Sequence, residues 1–264
     1  MTYRSMEELQ EFCFQQKLAA ASEPLRITRA YYWWKLHRNI SRAFKKHVRE
    51  SGLVVDIGTG HGVMIRIAYE CLGPDFTYWA TDLSELDLAL AEAVFQKLGI
   101  PVQTEVADGS VNLPLEDSTA AVVVCSEVLE HIPEPEGMLR EVWRILKPGG
   151  IAIFSTPNAS NPMIRISRRD QESDLVEETE WSSPSYGHVS VLSGRDWQTH
   201  FKRAGFEILQ INRGALLLGR SGYEKSPFVV ALYFMIDAVL DFLPATTNWT
   251  ENLCFTLRKA HPEK

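Results

Sequence analysis

Short apolar runs alternate with stretches of helical spacing along most of this chain. Apolar and β-branched residues cluster at 53–57 (LVVDI), 77–81, 102–106, 120–125, 150–155 and 206–211, and a last run, NLCFTLR, occupies 252–258. Their length and their Gly, Pro, Asp and Asn boundaries read as strands. Between them the spacing predicts helices near 61–72, 84–98, 137–146 and 193–204. Ser193 with Asp196 predicts a capping box at the start of the last of these and Gly205 its end, while KPGG at 147–150 is expected to break the helix before it. Strand and helix in alternation imply a parallel sheet with helices on both faces. Residues 6–20 and 25–49 have helical spacing too, so residues 1–50 read as an N-terminal helical cap on a domain spanning 51–264.

Two segments interrupt the alternation. Residues 157–190, rich in Ser, Pro, Glu and Asn, form a long connection expected at the carboxyl end of the sheet. Residues 226–244, SPFVVALYFMIDAVLDFLP, are the longest apolar run and lie inside a hydrophobic insertion at about 214–250. That run is short for a bilayer span, and Asp237 and Asp241 fall on one helical face. A buried or amphipathic helix is expected, with peripheral contact to lipid or membrane, and a dimer interface, as further uses.

A chain of 264 residues with net charge −7 lacks the overall basic footprint of a dedicated nucleic-acid binder. Its four cysteines, Cys13, Cys71, Cys125 and Cys254, show no C-x-x-C spacing, which argues against a disulfide framework or zinc knuckle and points to a reducing, cytoplasmic setting. The charged N-terminus does not resemble an export signal.

The first strand runs into VVDIGTGHG, with glycines at 58, 60 and 62. A dinucleotide loop would place a third glycine where Val63 stands, and Asp56 would repel a pyrophosphate. The loop therefore suits a ligand without phosphates that carries positive charge. Three more strand ends are polar: Asp82, followed by Leu83, suits a ribose; Asp108 and Gly109 suit an adenine edge; Ser126 and Glu127 leave the fourth strand. An adenosine with a cationic, amino-acid-like tail satisfies all four.

With these residues in place, the chain resembles the class I S-adenosylmethionine-dependent methyltransferases, most closely the branch of ubiquinone-biosynthesis-type and related small-molecule O-methyltransferases. The resemblance rests on VVDIGTGHG, TDLS, ADGSVNLPLEDSTAAVVVCSEVLEHI, MLREVWRILKPGGIAIFSTPN and GHVSVLSGRDWQTHFKRAGFEI, in that order over most of residues 53–211. It implies a Rossmann-like seven-stranded, mostly parallel α/β sheet whose last strand is antiparallel. It also implies that Asp56 and the loop Gly58, Thr59 and Gly60 hold the methionine portion, Asp82 the ribose and Asp108 the adenine of S-adenosylmethionine. Ala120 and Ala121 depart from it, standing where the family often has an aromatic residue followed by Asp.

A helix continuing after Ser126 would put Glu127, Glu130 and His131 on one face. With His188 from the long loop they would form a Glu, Glu, His, His set for a divalent metal, an arrangement similar to that of some ubiquinone-pathway and small-RNA methyltransferases. Without a metal, His131 or His188 is the expected general base. The predicted reaction is methyl transfer to a hydroxyl of a small, partly apolar molecule. An RNA-end methyltransferase and a non-catalytic cofactor-binding scaffold are the readings from other classes. The basic, aromatic stretch 25–49 reads as a solvated face over a buried aromatic stripe, or as a lid that brings Arg26, Arg29 or Tyr31 to the site.

Overall fold

The computed structural model describes residues 27–161, 188–216, 227–241, 243 and 248–260. The predicted helix at 6–20, Cys13, Arg26, the side chain of Arg29 and the middle of the 157–190 connection lie outside them. In chain order the elements are α1 (Ile27–His47), β1 (Leu53–Ile57), α2 (Val63–Leu72), β2 (Thr77–Asp82), α3 (Glu85–Leu98), β3 (Gln103–Val106) and β4 (Ala120–Ser126). A single 3-10 turn (Leu129–His131) follows, then α4 (Pro135–Ile145), β5 (Leu146–Pro157), α5 (Gly194–Arg203), β6 (Phe206–Arg213), α6 (Pro227–Leu240) and β7 (Asn252–Lys259).

The seven strands form one sheet in the order β3-β2-β1-β4-β5-β7-β6. β1 to β5 pair in parallel, and β7 inserts antiparallel between β5 and β6. The expected doubly wound sheet with an antiparallel last strand is what the chain builds. Strand order reverses at β1, flanked by β2 and β4, so the crevice lies above the carboxyl ends of these strands.

Alternation along the strands divides the core between two faces. Val54, Val122, Val124, Ile151 and Ile153 pack with α1, α2 and α3. Val55, Val123, Cys125, Ala152 and Phe154 face α4 and α5, where Phe201 stacks on Phe154 and meets Phe255 edge-on. The buried stripe Tyr32, Leu36, Ile40 and Phe44 makes α1 part of the first layer.

Caps fall where residue chemistry places them. Ser84 and Ser193 each accept a hydrogen bond from the third residue of their helix, and Gly99 and Gly205 take the left-handed backbone that ends α3 and follows α5. One boundary differs from expectation. α4 stops at Ile145, and β5 already begins at Leu146, running through Pro148 across a register irregularity against β4. A proline is tolerated in a strand at such an irregularity, so KPGG opens the strand rather than separating it from the helix.

α6 makes helix of the apolar insertion, and its placement depends on charges that periodicity did not pair. Lys35, expected among solvated cations, is fully buried, as is Asp237. Lys35 bonds Asp237 and lies 2.7 Å from Asp241; Arg213 reaches Asp237 and Asp241, both at 2.7 Å. Tyr31 donates to Asp237 and stacks on Phe234, so α1, the end of β6 and α6 are joined by one ionic cluster. Burial alone would raise the Asp237 carboxyl, but Lys35, Tyr31 and Arg213 together hold it below the usual carboxylate range.

Candidate active site

At the switch point a cavity of about 260 Å³ opens, lined by Ile57, Gly58, Leu83, Gly109, Val128, Ile132 and Met138. Its charged lining residues are Asp82, Asp87, Asp108 and Glu127, with the His131 imidazole; none is Lys or Arg. Four carboxylates without a basic residue would reject a pyrophosphate and accept a ligand of positive charge.

The glycine loop shapes this cavity more than it donates to it. Gly58 and Thr59 amides both bond the Thr81 carbonyl, the Gly60 amide donates to Asp82 Oδ2 at 2.9 Å, and the Gly62 amide returns to Thr59. These four amides, those of Gly58, Thr59 and Gly60 expected at the ligand among them, are engaged inside the turn. Only Ile57 and Gly58 of the turn line the cavity. Gly58 has φ +71°, and a Cβ there would sit 2.4 Å from Val128 Cγ2. Thr59 is buried, and its hydroxyl donates to Asp56 Oδ2 at 2.7 Å.

Asp56 itself is buried with Oδ1 unpartnered. Burial, and then the charge of Asp82, push its carboxyl up to about 7 against the opposing bond from Thr59. A bound ammonium or sulfonium would favour the ionised form. Binding of S-adenosylhomocysteine near pH 6 is accordingly expected to release protons, and affinity to rise with pH until about 7. Calorimetry at pH 6 in buffers of different ionisation enthalpy measures this, and proton uptake would contradict it. In the free protein the raised value works oppositely: the unfolded carboxylate ionises first, so this group's contribution to stability falls between about pH 4 and 7.

Asp82 accepts one backbone amide on each oxygen, from Gly60 and Ser84, leaving lone pairs for further donors. Asp108 Oδ1 accepts from the amide and hydroxyl of Ser110. Gly109 is packed so tightly that a Cβ would come 2.2 Å from Ile57 Cγ2. Ser126 bonds the Ser155 hydroxyl in the wall behind the cavity instead of lining it.

The expected helix after β4 does not form. Glu127 takes a left-handed backbone, φ +57°, and only the one-turn Leu129–His131 element follows. Glu127 is therefore held by partners from other elements. Ser155 donates to its Oε1 at 2.8 Å, Tyr32 to its Oε2 at 2.7 Å, and Asn252 reaches Oε1 at 3.4 Å. The four-residue metal set is corrected accordingly: Glu127 is outside it, while Glu130, His131 and His188 bring one ligand atom each within 4.8 Å of one another. Glu130 is buried with Oε2 unpartnered, and His131 Nδ1 is also buried without a partner. Burial, and then the Glu127 charge, hold the Glu130 carboxyl well above its ordinary value. His188 meets the His131 ring edge-on at 4.9 Å, and the Glu130 carbonyl accepts the Val189 and Ser190 amides, which brings the end of the long loop to the site.

Residues that periodicity did not single out complete this region. Tyr32, Ser155 and Asn252 come from α1, β5 and β7 and meet only because the sheet and α1 converge on Glu127. The aromatic residues of the 25–49 stretch were the sole hint of Tyr32.

A methyltransferase domain family matches residues 28–211 of the chain. A ubiquinone biosynthesis O-methyltransferase of Pseudomonas putida is 31% identical over 135 residues, covering 51% of each protein. The chain spans about half the length of the curated relatives it matches. Among solved structures, a Bacillus halodurans protein described as a methyltransferase aligns with a TM-score of 0.60 at 18% identity, over 84% of this chain and 99% of that one. An S-adenosylmethionine-dependent methyltransferase of Aquifex aeolicus aligns with a TM-score of 0.57 at 15% identity, over 93% and 98%. Taken with the switch-point cavity and its carboxylates, these findings show that the chain belongs to the class I S-adenosylmethionine-dependent methyltransferase family.

Proposed function

We propose that this methyltransferase acts on a hydroxyl of a small, partly apolar molecule. The observation that carries the reading is the cluster of Glu130, His131 and His188 beside the cofactor cavity, which His131 also lines. Hydroxyls are weak nucleophiles near neutral pH, and such a cluster supplies what they lack. The O-methyltransferase relative is consistent with this acceptor class.

S-adenosylmethionine supplies an electrophilic methyl group. The chain's own residues hold it and prepare the acceptor. Asp56, Asp82 and Asp108 address the cofactor's tail, ribose and base from the ends of β1, β2 and β3, with Gly58, Leu83 and Gly109 giving it close, apolar contact. Glu127, fixed by Tyr32, Ser155 and Asn252, presents a carboxylate to the cavity where the cationic end belongs. His131, with His188 against it, takes the acceptor proton as it leaves.

The same three residues fit a divalent cation, because a buried carboxylate oxygen and an imidazole nitrogen lack partners where a third ligand converges. Glu130, His131 and His188 would hold it, and it would lower the pKa of a coordinated hydroxyl.

Turnover to S-adenosylhomocysteine over a panel of phenols and alcohols tests the reading. His131→Ala and Glu130→Ala are each expected to cut kcat by about a hundredfold or more, with product affinity nearly unchanged. Undiminished turnover in both variants would sink the proposal. Titration of Mg²⁺, Mn²⁺ and Zn²⁺ into product-saturated protein separates the two uses of the cluster: stoichiometric binding lost in Glu130→Ala means a metal site, and no binding leaves His131 as the base.

A further inference from the structure

α6 is built inside out. Its only charged residue within Pro227–Leu240, Asp237, is fully buried against Lys35 and Arg213, and the partly exposed Asp241 just beyond pairs with Lys35, Arg38 and Arg213. The opposite face is wholly apolar. Phe228, Leu232, Met235, Ile236 and Val239 follow helical spacing and are exposed, Phe228 by 76%, Met235 by 60% and Val239 by 62%. Water-facing helices place charge outward and apolar residues inward. Here a buried ionic cluster, expensive to desolvate, fixes the opposite orientation, so the apolar face is specified rather than left over.

The neighbouring helix supplies the second half of the surface. α1 runs beside α6 in parallel, with Tyr31 on Phe234, Lys35 on Asp237 and Arg38 on Asp241. Its sequence from Ile27 to His47 contains no acidic residue. Trp34, 52% exposed and stacked under the Arg38 guanidinium at 4.6 Å, shares a helical face with Arg38, Arg42 and Lys45, the last two exposed. On a chain of net charge −7, this is a local cationic stripe beginning at the edge of an apolar face, with a tryptophan at the border. No helix among the described residues is long and apolar enough to cross a membrane.

We infer that the outer faces of α6 and α1 together form a docking surface for an anionic lipid bilayer. α6 would lie in the interface with Phe228, Met235 and Val239 among the acyl chains, while Arg38, Arg42 and Lys45 face lipid headgroups. Charge selects the bilayer over a second copy of the chain. A two-fold contact through this face would bring two acid-free basic helices together, while Asp237 is buried and Asp241 is already shared among Lys35, Arg38 and Arg213. The surface also adjoins the active site, because Tyr31 contacts α6 while Tyr32, one residue on, holds Glu127.

Co-sedimentation of the full chain with vesicles tests this, comparing pure phosphatidylcholine with phosphatidylcholine carrying about 30 mol% phosphatidylglycerol. The chain is expected to pellet with the anionic vesicles and much less with the neutral ones. Arg42→Glu with Lys45→Glu should weaken that binding by about twentyfold or more, from about fivefold per lost cation. Met235→Ser with Val239→Ser should weaken it by about tenfold or more. S-adenosylhomocysteine affinity and melting temperature serve as folding controls and should be retained in both. A wild-type chain that stays in the supernatant, or a Met235→Ser, Val239→Ser variant that binds like wild type, would overturn the inference. So would sedimentation velocity showing a dimer that this serine pair converts to monomer, which would assign the face to a second copy.

Discussion

Replacing Gly58 with Ala is expected to weaken S-adenosylhomocysteine binding by about a hundredfold while leaving the sheet intact. Two costs act at this position. The backbone is left-handed, φ +71°, which an L side chain adopts at about 1–2 kcal/mol. The new methyl would also lie 2.4 Å from Val128 Cγ2, and overpacking of this kind costs about 1–3 kcal/mol. Both Gly58 and Val128 line the switch-point cavity, so relief by displacement of either would narrow the space available to a ligand there. About 3 kcal/mol taken from binding is about a factor of a hundred. Titration calorimetry measures it, with Gly58→Ala, Val128→Ala as the diagnostic double variant. Removing the valine methyls leaves only the backbone cost, so part of the affinity should return. An affinity within about threefold of wild type in Gly58→Ala would mean that the ligand does not approach the chain here.

The second large effect lies away from the cavity. Asp237→Ala is expected to destabilise the fold by about 3–5 kcal/mol, because it leaves two buried cations, Lys35 and Arg213, to share the single carboxylate of Asp241. For a chain of this size that corresponds to a fall of about 10 °C in melting temperature. Lys35→Met combined with Asp237→Leu removes the two most deeply buried charges of the cluster and leaves Arg213 its bond to Asp241, so the pair should cost less than Asp237→Ala alone. The pH dependence has a definite sign. A carboxyl held below its unfolded value contributes stability above about pH 4, and that contribution disappears as pH falls below it. Asp237→Ala should therefore lose less stability than the wild type on acidification. Equal melting temperatures for Asp237→Ala and wild type would show that the cluster contributes nothing to holding α6.

These two positions also mark where the sequence was legible. Gly58 was found by spacing alone: a buried strand, an acid and alternating glycines constrain the backbone within nine residues, and the structure realises that turn. The strand ends Asp82 and Asp108 were legible for the same reason, since local pattern locates a strand's carboxyl end and the sheet gathers these ends at one edge. Lys35 was misplaced. Helical spacing puts it among cations that look solvated, and only carboxylates more than 200 residues away, Asp237 and Asp241, offset its burial.

Glu127 shows a second limit. SEVLEH has good helical spacing, yet tertiary contacts from Tyr32, Ser155 and Asn252 hold Glu127 at positive φ and deny the helix its first turn. Three long-range hydrogen bonds outweigh a weak local propensity. The metal-type cluster thus loses Glu127 yet retains Glu130, His131 and His188, because His188 is delivered by loop backbone bonds to the Glu130 carbonyl rather than by any helix.

Periodicity of two and of 3.6 sufficed for the strands, most of the helices, their order and the edge of the sheet where the cavity opens, because those properties depend on neighbours within one or two turns of chain. Which charges are buried, which face of α6 meets water, and which partners hold Glu127 outside the metal-type cluster depend on groups brought together from 24 to 206 residues apart. Desolvation and hydrogen-bond satisfaction decide such questions, and both exist only once the chain has packed.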